Sequence, residues 1–171
     1  MIKTFNIETH PLNYEFNYNP TETHSLQTQI KNNQNITIDD IRRIALWKLD
    51  RVLEVSDKTI FKLQKIATIA NLKLEDSLVI DVIKSLTESN GIGFPMASAI
   101  LKFIRPDIFP IIDVRAYRAL YGKKIYSSQY SFDKYIEYTK DITEISNLLN
   151  ISLSQIDEQL YCFDKEYNGK I

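Results

Sequence analysis

The segment from Gly91 to Leu120 holds the residues with most to offer chemically. It contains the turn Gly91-Ile92-Gly93, then Pro95, an apolar run Phe109-Pro110-Ile111-Ile112, and a carboxylate at Asp113. A glycine turn supplies positive φ angles and is common between ordinary helices. The stretch after this turn is amphipathic, with Ala97, Ile100, Leu101 and Ile104 at i, i+3, i+4 and i+7. Pro95 sits in the first turn, where a missing N–H costs nothing. Such a helix start presents outward-pointing amides, an anion site able to grip a DNA phosphate without reading sequence. Gly91, Gly93 and Met96 are the residues expected at that contact.

Asp113 stands where an N-cap belongs, ahead of Val114 to Leu120, and Gly122 is placed to end that helix. Cleavage of an N-glycosidic bond builds positive charge on the sugar. A fixed anion nearby stabilises that transition state more than the ground state, and can orient or deprotonate a water attacking C1′. The plainer role for Asp113 is the cap alone, worth about 1 kcal/mol to its helix.

Charge singles out the same stretch. The whole chain carries a net charge of −1, yet between Lys102 and Lys124 six basic residues stand against two acids, Asp107 and Asp113. Arg115 and Arg118 share one helix face. They could hold phosphates flanking a nucleotide, or pair with Asp107 or an acid near the C-terminus. Lys123 and Lys124 suit the last carbonyls of their helix as well as DNA.

Other chemistries have little to draw on. The histidines are His10 and His24, and Cys162 is the lone cysteine. An intrachain disulfide, a cysteine-held iron–sulfur cluster and a structural zinc are thereby excluded, and a Ser-His-Asp triad or a His-based metal centre has almost nothing to draw on. No apolar stretch approaches the roughly 20 residues a membrane span requires, and the first residues lack the profile of a secretory signal. The cytoplasm is the expected compartment.

The elements that must position these residues read as all-α within one domain. Residues 1–35 are expected to form an arm, extended or a short strand, in which Tyr14, Phe16 and Tyr18 alternate with polar residues. Disorder near Lys31 to Gln34 is the competing reading. From Ile36 the period becomes helical, so residues 36–171 are expected as one helical domain. Thr37 and Asp40 suggest an N-cap for a helix with the stripe Ile41, Ile44, Ala45, Leu49, Val52 and Leu53. Asp57 can cap a second helix, and Leu78 to Leu86 forms a third. Beyond Gly122 a long helix runs through Phe132 to Leu149, and a last one from about Leu153 to Phe163. Tyr161, Phe163 and Tyr167 could stack on a base, against the plainer reading that Leu160 and Phe163 pack the closing helix on the core.

Taken together, the segment resembles the helix-hairpin-helix, Gly/Pro-rich, Asp superfamily of DNA glycosylases, which includes endonuclease III and the adenine and 8-oxoguanine glycosylases. Gly91-Ile92-Gly93 is similar to the hairpin, Ala97 to Leu101 to the face of its second helix, and Phe109 to Asp113 to the stretch leading into the catalytic aspartate. Asp113 lies 20 positions after Gly93, close to the family spacing. The likeness covers some 30 residues. It implies a multi-helix, two-lobed bundle, double-stranded DNA as partner, Asp113 as catalytic carboxylate, and a base flipped out of the duplex.

Two departures shape the expectation. Bifunctional members place a lysine two positions after the second hairpin glycine, where Pro95 stands here. Lys102 lies about 10 Å further along the helix, too far to substitute. The resemblance therefore implies a monofunctional enzyme in which water attacks and an abasic site remains. The cysteine cluster of several members is also missing. No cofactor is implied, although the carbonyls between Gly91 and Gly93 could hold an optional monovalent cation. Trp47, Lys48 and Arg51 could line a base pocket or contact DNA, or be a core-edge tryptophan with solvated charges. A protein bound to DNA would be nucleoid-associated; no membrane and no protein partner is inferred. The alternatives to an enzyme are a non-catalytic hairpin module that binds nucleic acid and, more remotely, a helical protein-interaction domain.

Overall fold

The computed structural model describes residues 6, 8, 14, 19–31 and 35–171. Among these the chain is all-α, with eight α-helices, a short 3-10 turn at Ser127–Gln129 and no strand. None of the helices is long and apolar enough to cross a membrane. The chain divides into two compact units, Met1–Val52 and Leu53–Ile171. The division falls later than residue 35, so the first long helix belongs with the N-terminal unit.

In that first unit, α1 (Pro20–Ile30) replaces the extended arm expected there. The reason is local. The Asn19 side chain accepts the Glu22 amide at 2.9 Å, and Pro20 opens the first turn with its φ already set. Tyr14 is exposed; Phe16 and Tyr18, like residues 32–34, lie outside the described residues. The second helix, α2 (Ile38–Lys48), starts with the expected capping box: Thr37 Oγ1 accepts the Asp40 amide and Asp40 accepts the Thr37 amide. The two helices meet through polar groups. Arg43 reaches Glu22, Gln29 and Ser25, and Trp47 Nε1 donates to Thr23 Oγ1 at 2.7 Å. The stripe read on α2 is not core: Ile41, Ile44 and Leu49 are exposed and the helix has no buried residue.

The second unit is built from α3 (Asp57–Thr68), α4 (Ser77–Thr87), α5 (Phe94–Ile104), α6 (Val114–Tyr121), α7 (Phe132–Leu149) and α8 (Leu153–Tyr167). Helices α3, α4 and α5 pack together, and α8 packs on both α6 and α7. Ser56, one residue before the expected Asp57, caps α3 by accepting the Thr59 amide. Asp57 instead sits in the first turn, where its charge complements the helix dipole. Gly122 ends α6 in the left-handed conformation at φ 69°, its amide on the Arg118 carbonyl. Ile66, Val82, Leu86, Leu101, Phe109 and Ile142 form part of one continuous core. Leu160 packs against that core, but Phe163 stays half exposed with its ring against Tyr167.

The linker from Pro106 to Ile112 starts at the surface and enters this core at Phe109 without joining a sheet. Phe109, Pro110 and Ile112 are buried. A buried backbone outside regular structure must find other partners for its N–H and C=O groups, and here side chains supply them. Tyr135 donates to the Pro110 carbonyl at 2.8 Å and Tyr138 to the Ile111 carbonyl at 2.9 Å. The Ile111 amide donates to Asp157 at 2.8 Å and the Ile112 amide to Ser98 Oγ at 3.2 Å. Helices α5, α7 and α8 thus hold the three residues that lead into Asp113.

Candidate functional site

The glycine turn lies between α4 and α5. Gly91 has φ 78°, which a side chain would strain, and the Ile92 amide closes the turn on the Ser89 carbonyl. Gly93 is the N-cap residue of α5; having no side chain, it leaves the first turn without a side-chain cap. Pro95 brings no N–H to that turn, so its outward amides are those of Phe94 and Met96. Met96 is exposed. Among the turn carbonyls, Asn90 accepts the Glu54 amide and Gly93 the Ala97 amide. A cation at the turn would rest on the carbonyls of Gly91 and Ile92 and draw its other oxygens from solvent or a ligand.

Beside this turn opens a cleft of about 480 Å³, within the usual size of small-ligand sites. Gly93, Phe94 and Pro95 form one wall and Val114 another, while Ile125, Tyr126 and Tyr130 come from the segment after α6. Lys124 is exposed at the same cleft. The lining is mostly apolar and aromatic. Phe94 and Tyr130 stack with ring centroids 6.0 Å apart and planes within 13°, and Phe94 meets the Tyr135 ring edge-on. The Tyr130 hydroxyl is buried without a hydrogen-bond partner among the described residues. Its phenol is pushed up to about 12 by burial and then by the negative charge of Asp113.

Asp113 immediately precedes Val114 but is not itself among the residues of the cleft wall. It caps α6 through Oδ1, which accepts the Ala116 amide at 2.7 Å. Its carboxyl is half-buried, and burial pushes its pKa above the ordinary value. The Asp157 charge adds to that push; the Ala116 and Arg115 amides and the Arg115 charge oppose it. A carboxylate with a raised pKa is the better proton acceptor once ionised.

The structure brings together Gly93 of the glycine turn and Val114, the residue next to Asp113. It does not bring the arginines to them as phosphate ligands. Arg115 and Arg118 both pair with Asp164 of α8, at 3.0 and 2.6 Å. Arg115 also donates to the Gly169 carbonyl and Arg118 to that of Lys170. Both side chains are largely buried, so the C-terminal acid is their partner, and Asp107 pairs with Arg105 instead. Trp47, Lys48 and Arg51 belong to the first unit, where Trp47 is half-buried and the other two are exposed.

Lys102 is 6% exposed; its Nζ donates to both oxygens of Asp157, at 2.8 and 3.0 Å, and to Glu158 at 2.8 Å. Burial opposes its charge, but the bonds to the two acids outweigh that and raise its pKa. An ammonium held this way is no free amine nucleophile. Sequence reasoning missed the supports Ser98, Asp157 and Tyr138, the supporting role of Lys102, and Tyr130 in the cleft wall. An acid directly after the apolar Ile156, in step with Leu153 and Leu160, was the available hint of Asp157.

No family model, no curated protein and no solved structure matches the chain.

Proposed function

We infer that the protein is a monofunctional DNA N-glycosylase, a small divergent relative of the helix-hairpin-helix glycosylases, with Asp113 as its catalytic carboxylate. The observation that carries this reading is one cleft walled by both the glycine turn and the start of α6. Gly93, Phe94 and Pro95 lie on one side of it, and Val114, next to Asp113, lies on the other. In this reading the Phe94 and Met96 amides grip a phosphate. The aromatic cleft receives a flipped base, and Asp113 stabilises charge on the sugar while directing water to C1′. With Pro95 at the usual lysine position and Lys102 bound to two acids, no amine attacks the sugar and an abasic site is left. Arg115 and Arg118 act through the scaffold, while Lys123 and Lys124 supply exposed positive charge toward double-stranded DNA.

A second reading, a non-catalytic DNA-binding module, is favoured by one observation: an Asp113 oxygen is already engaged by the Ala116 amide, and Asp113 does not line the cleft. One experiment separates the two. Duplexes carrying uracil, hypoxanthine, 8-oxoguanine, alkylated purines or mismatches are incubated with the protein and heated in alkali to reveal abasic sites. The glycosylase reading expects release from at least one duplex, reduced about 10²–10⁴-fold by Asp113→Asn. Binding without any abasic sites would leave the module. Strand breaks formed without alkali would overturn the monofunctional mechanism.

A further inference from the structure

We propose that Asp157 is a positioning residue for Asp113, gripping the Ile111 amide two residues upstream and tying it, through Lys102, to the helix that begins at the glycine turn. The functional meaning rests on the glycosylase reading, but the mechanical link does not.

Lys102 lies one helical turn beyond Ser98 on α5, and each secures one of two consecutive linker residues. Ser98 accepts the Ile112 amide directly and donates to the Pro95 carbonyl at 2.8 Å. Lys102 fixes Asp157, whose Oδ2 accepts the Ile111 amide. One face of α5 therefore sets the path of the chain immediately before Asp113. The hairpin and the acid are two ends of one braced unit.

Energetics favour a specific role over a general one. A buried ion pair seldom stabilises a core more than apolar side chains of similar volume. What apolar side chains could not do here is accept the Ile111 amide, which would then be left half-buried without a partner. Asp157 is 3% exposed and placed for both tasks at once. Its charge also reaches Asp113, as does that of Arg115 from α6, and the Asp113 charge in turn raises the pKa of the Tyr130 and Tyr138 phenols.

The test uses the full chain, isotope-labelled, and needs no substrate. Asp157→Asn keeps an acceptor for Ile111 and removes the charge. The pair Lys102→Met with Asp157→Leu removes the acceptor and leaves an apolar contact. The Asp113 side-chain carbon is titrated by NMR, and amide exchange is followed at Ile111 and Ala116 beside a thermal melt. In Asp157→Asn, Asp113 is expected to titrate at lower pH with Ile111 still protected. In the double variant, Ile111 and Ala116 are expected to exchange about tenfold faster within a still cooperative fold. Unchanged exchange at both amides in the folded double variant would reduce the pair to a core contact and overturn the proposal. Should the double variant not fold, an unmoved Asp113 titration in Asp157→Asn would overturn it. A native protein that releases no base would sink the glycosylase reading without altering these readouts.

Discussion

Helix α8 carries two buried aspartates, Asp157 and Asp164, seven residues apart and so on one face, yet they do different work. Asp164 faces two guanidinium forks. Arg118 gives it Nε and Nη2, Arg115 gives it Nη1, and the Asn168 side chain adds a fourth donor. Asp157 faces one ammonium and one backbone amide. The first cluster fastens the body of α6 to α8 and to the backbone of residues 169 and 170. The second fastens the linker that delivers the first residue of α6. Arginine suits the former because its planar fork fixes direction as well as charge. The lesson is that basic residues beside a candidate site need not serve it directly: here the arginines act as clamps.

The comparison breaks most visibly at Asp164. Asp164→Asn leaves two largely buried arginines short of a counter-charge, and a fall in melting temperature of roughly 6–12 °C is expected at neutral pH. Its pH dependence identifies the cause. The folded-state pKa of Asp164 is about 2, held down first by the Arg118 hydrogen bonds, against an ordinary carboxylate value near 4. The stabilisation is therefore complete above the ordinary value and is lost as pH falls toward about 2. Thermal melts from pH 7 to pH 2.5 should show wild type and variant converging at the acid end. A constant gap would mean that shape, not charge, matters there.

A smaller loss is expected on the other side of the comparison, at Ser98. Ser98→Ala removes the acceptor of the buried Ile112 amide and should cost about 1 kcal/mol, or roughly 3 °C. Amide exchange should accelerate at Ile112 and leave the Asp164 cluster unchanged. Acceleration at Asn168 and Gly169 as well would show that the two clusters are one cooperative unit.

The boundary between features legible in the sequence and features hidden from it is the one between local and distant causes. The Asp113 cap, the Gly122 terminator and the Thr37–Asp40 box each depend on partners three or four residues away. Sequence spacing exposes such partners directly. The start of α1 was equally local, in Asn19-Pro20 and then Glu22, but a polar, Asn- and Thr-rich stretch hid it behind the alternation of Tyr14, Phe16 and Tyr18. Lys102–Asp157 and Arg118–Asp164 join residues 55 and 46 positions apart. Only tertiary packing chooses such partners. The basic segment was therefore visible as charge while its direction, inward to α8, was not. The stripe on α2 shows the converse: Ile41 and Ile44 have helical spacing, yet α1 meets that helix through Arg43 and Trp47, so periodicity alone did not make a core.

The smallest stability change should come from the residue given the largest functional role. Asparagine caps a helix about as well as aspartate, so Asp113→Asn should keep the Ala116 bond and alter stability by no more than about 0.5 kcal/mol at low pH. Above that the sign is set by burial, which raises the Asp113 pKa in the folded state. A raised acid pKa favours the protonated fold, an advantage present below the ordinary carboxylate value and lost as pH rises through the folded one. The neutral asparagine escapes that loss, so at pH 7 the variant should equal or slightly exceed the wild type in denaturant melts, and at pH 3 the two should coincide. Matching stability with lost base release would separate the chemistry of Asp113 from its cap, since asparagine supplies the cap without the charge. A variant clearly less stable at pH 7 than at pH 3, relative to wild type, would show that the charge serves the fold and would remove the strongest reason to call Asp113 catalytic.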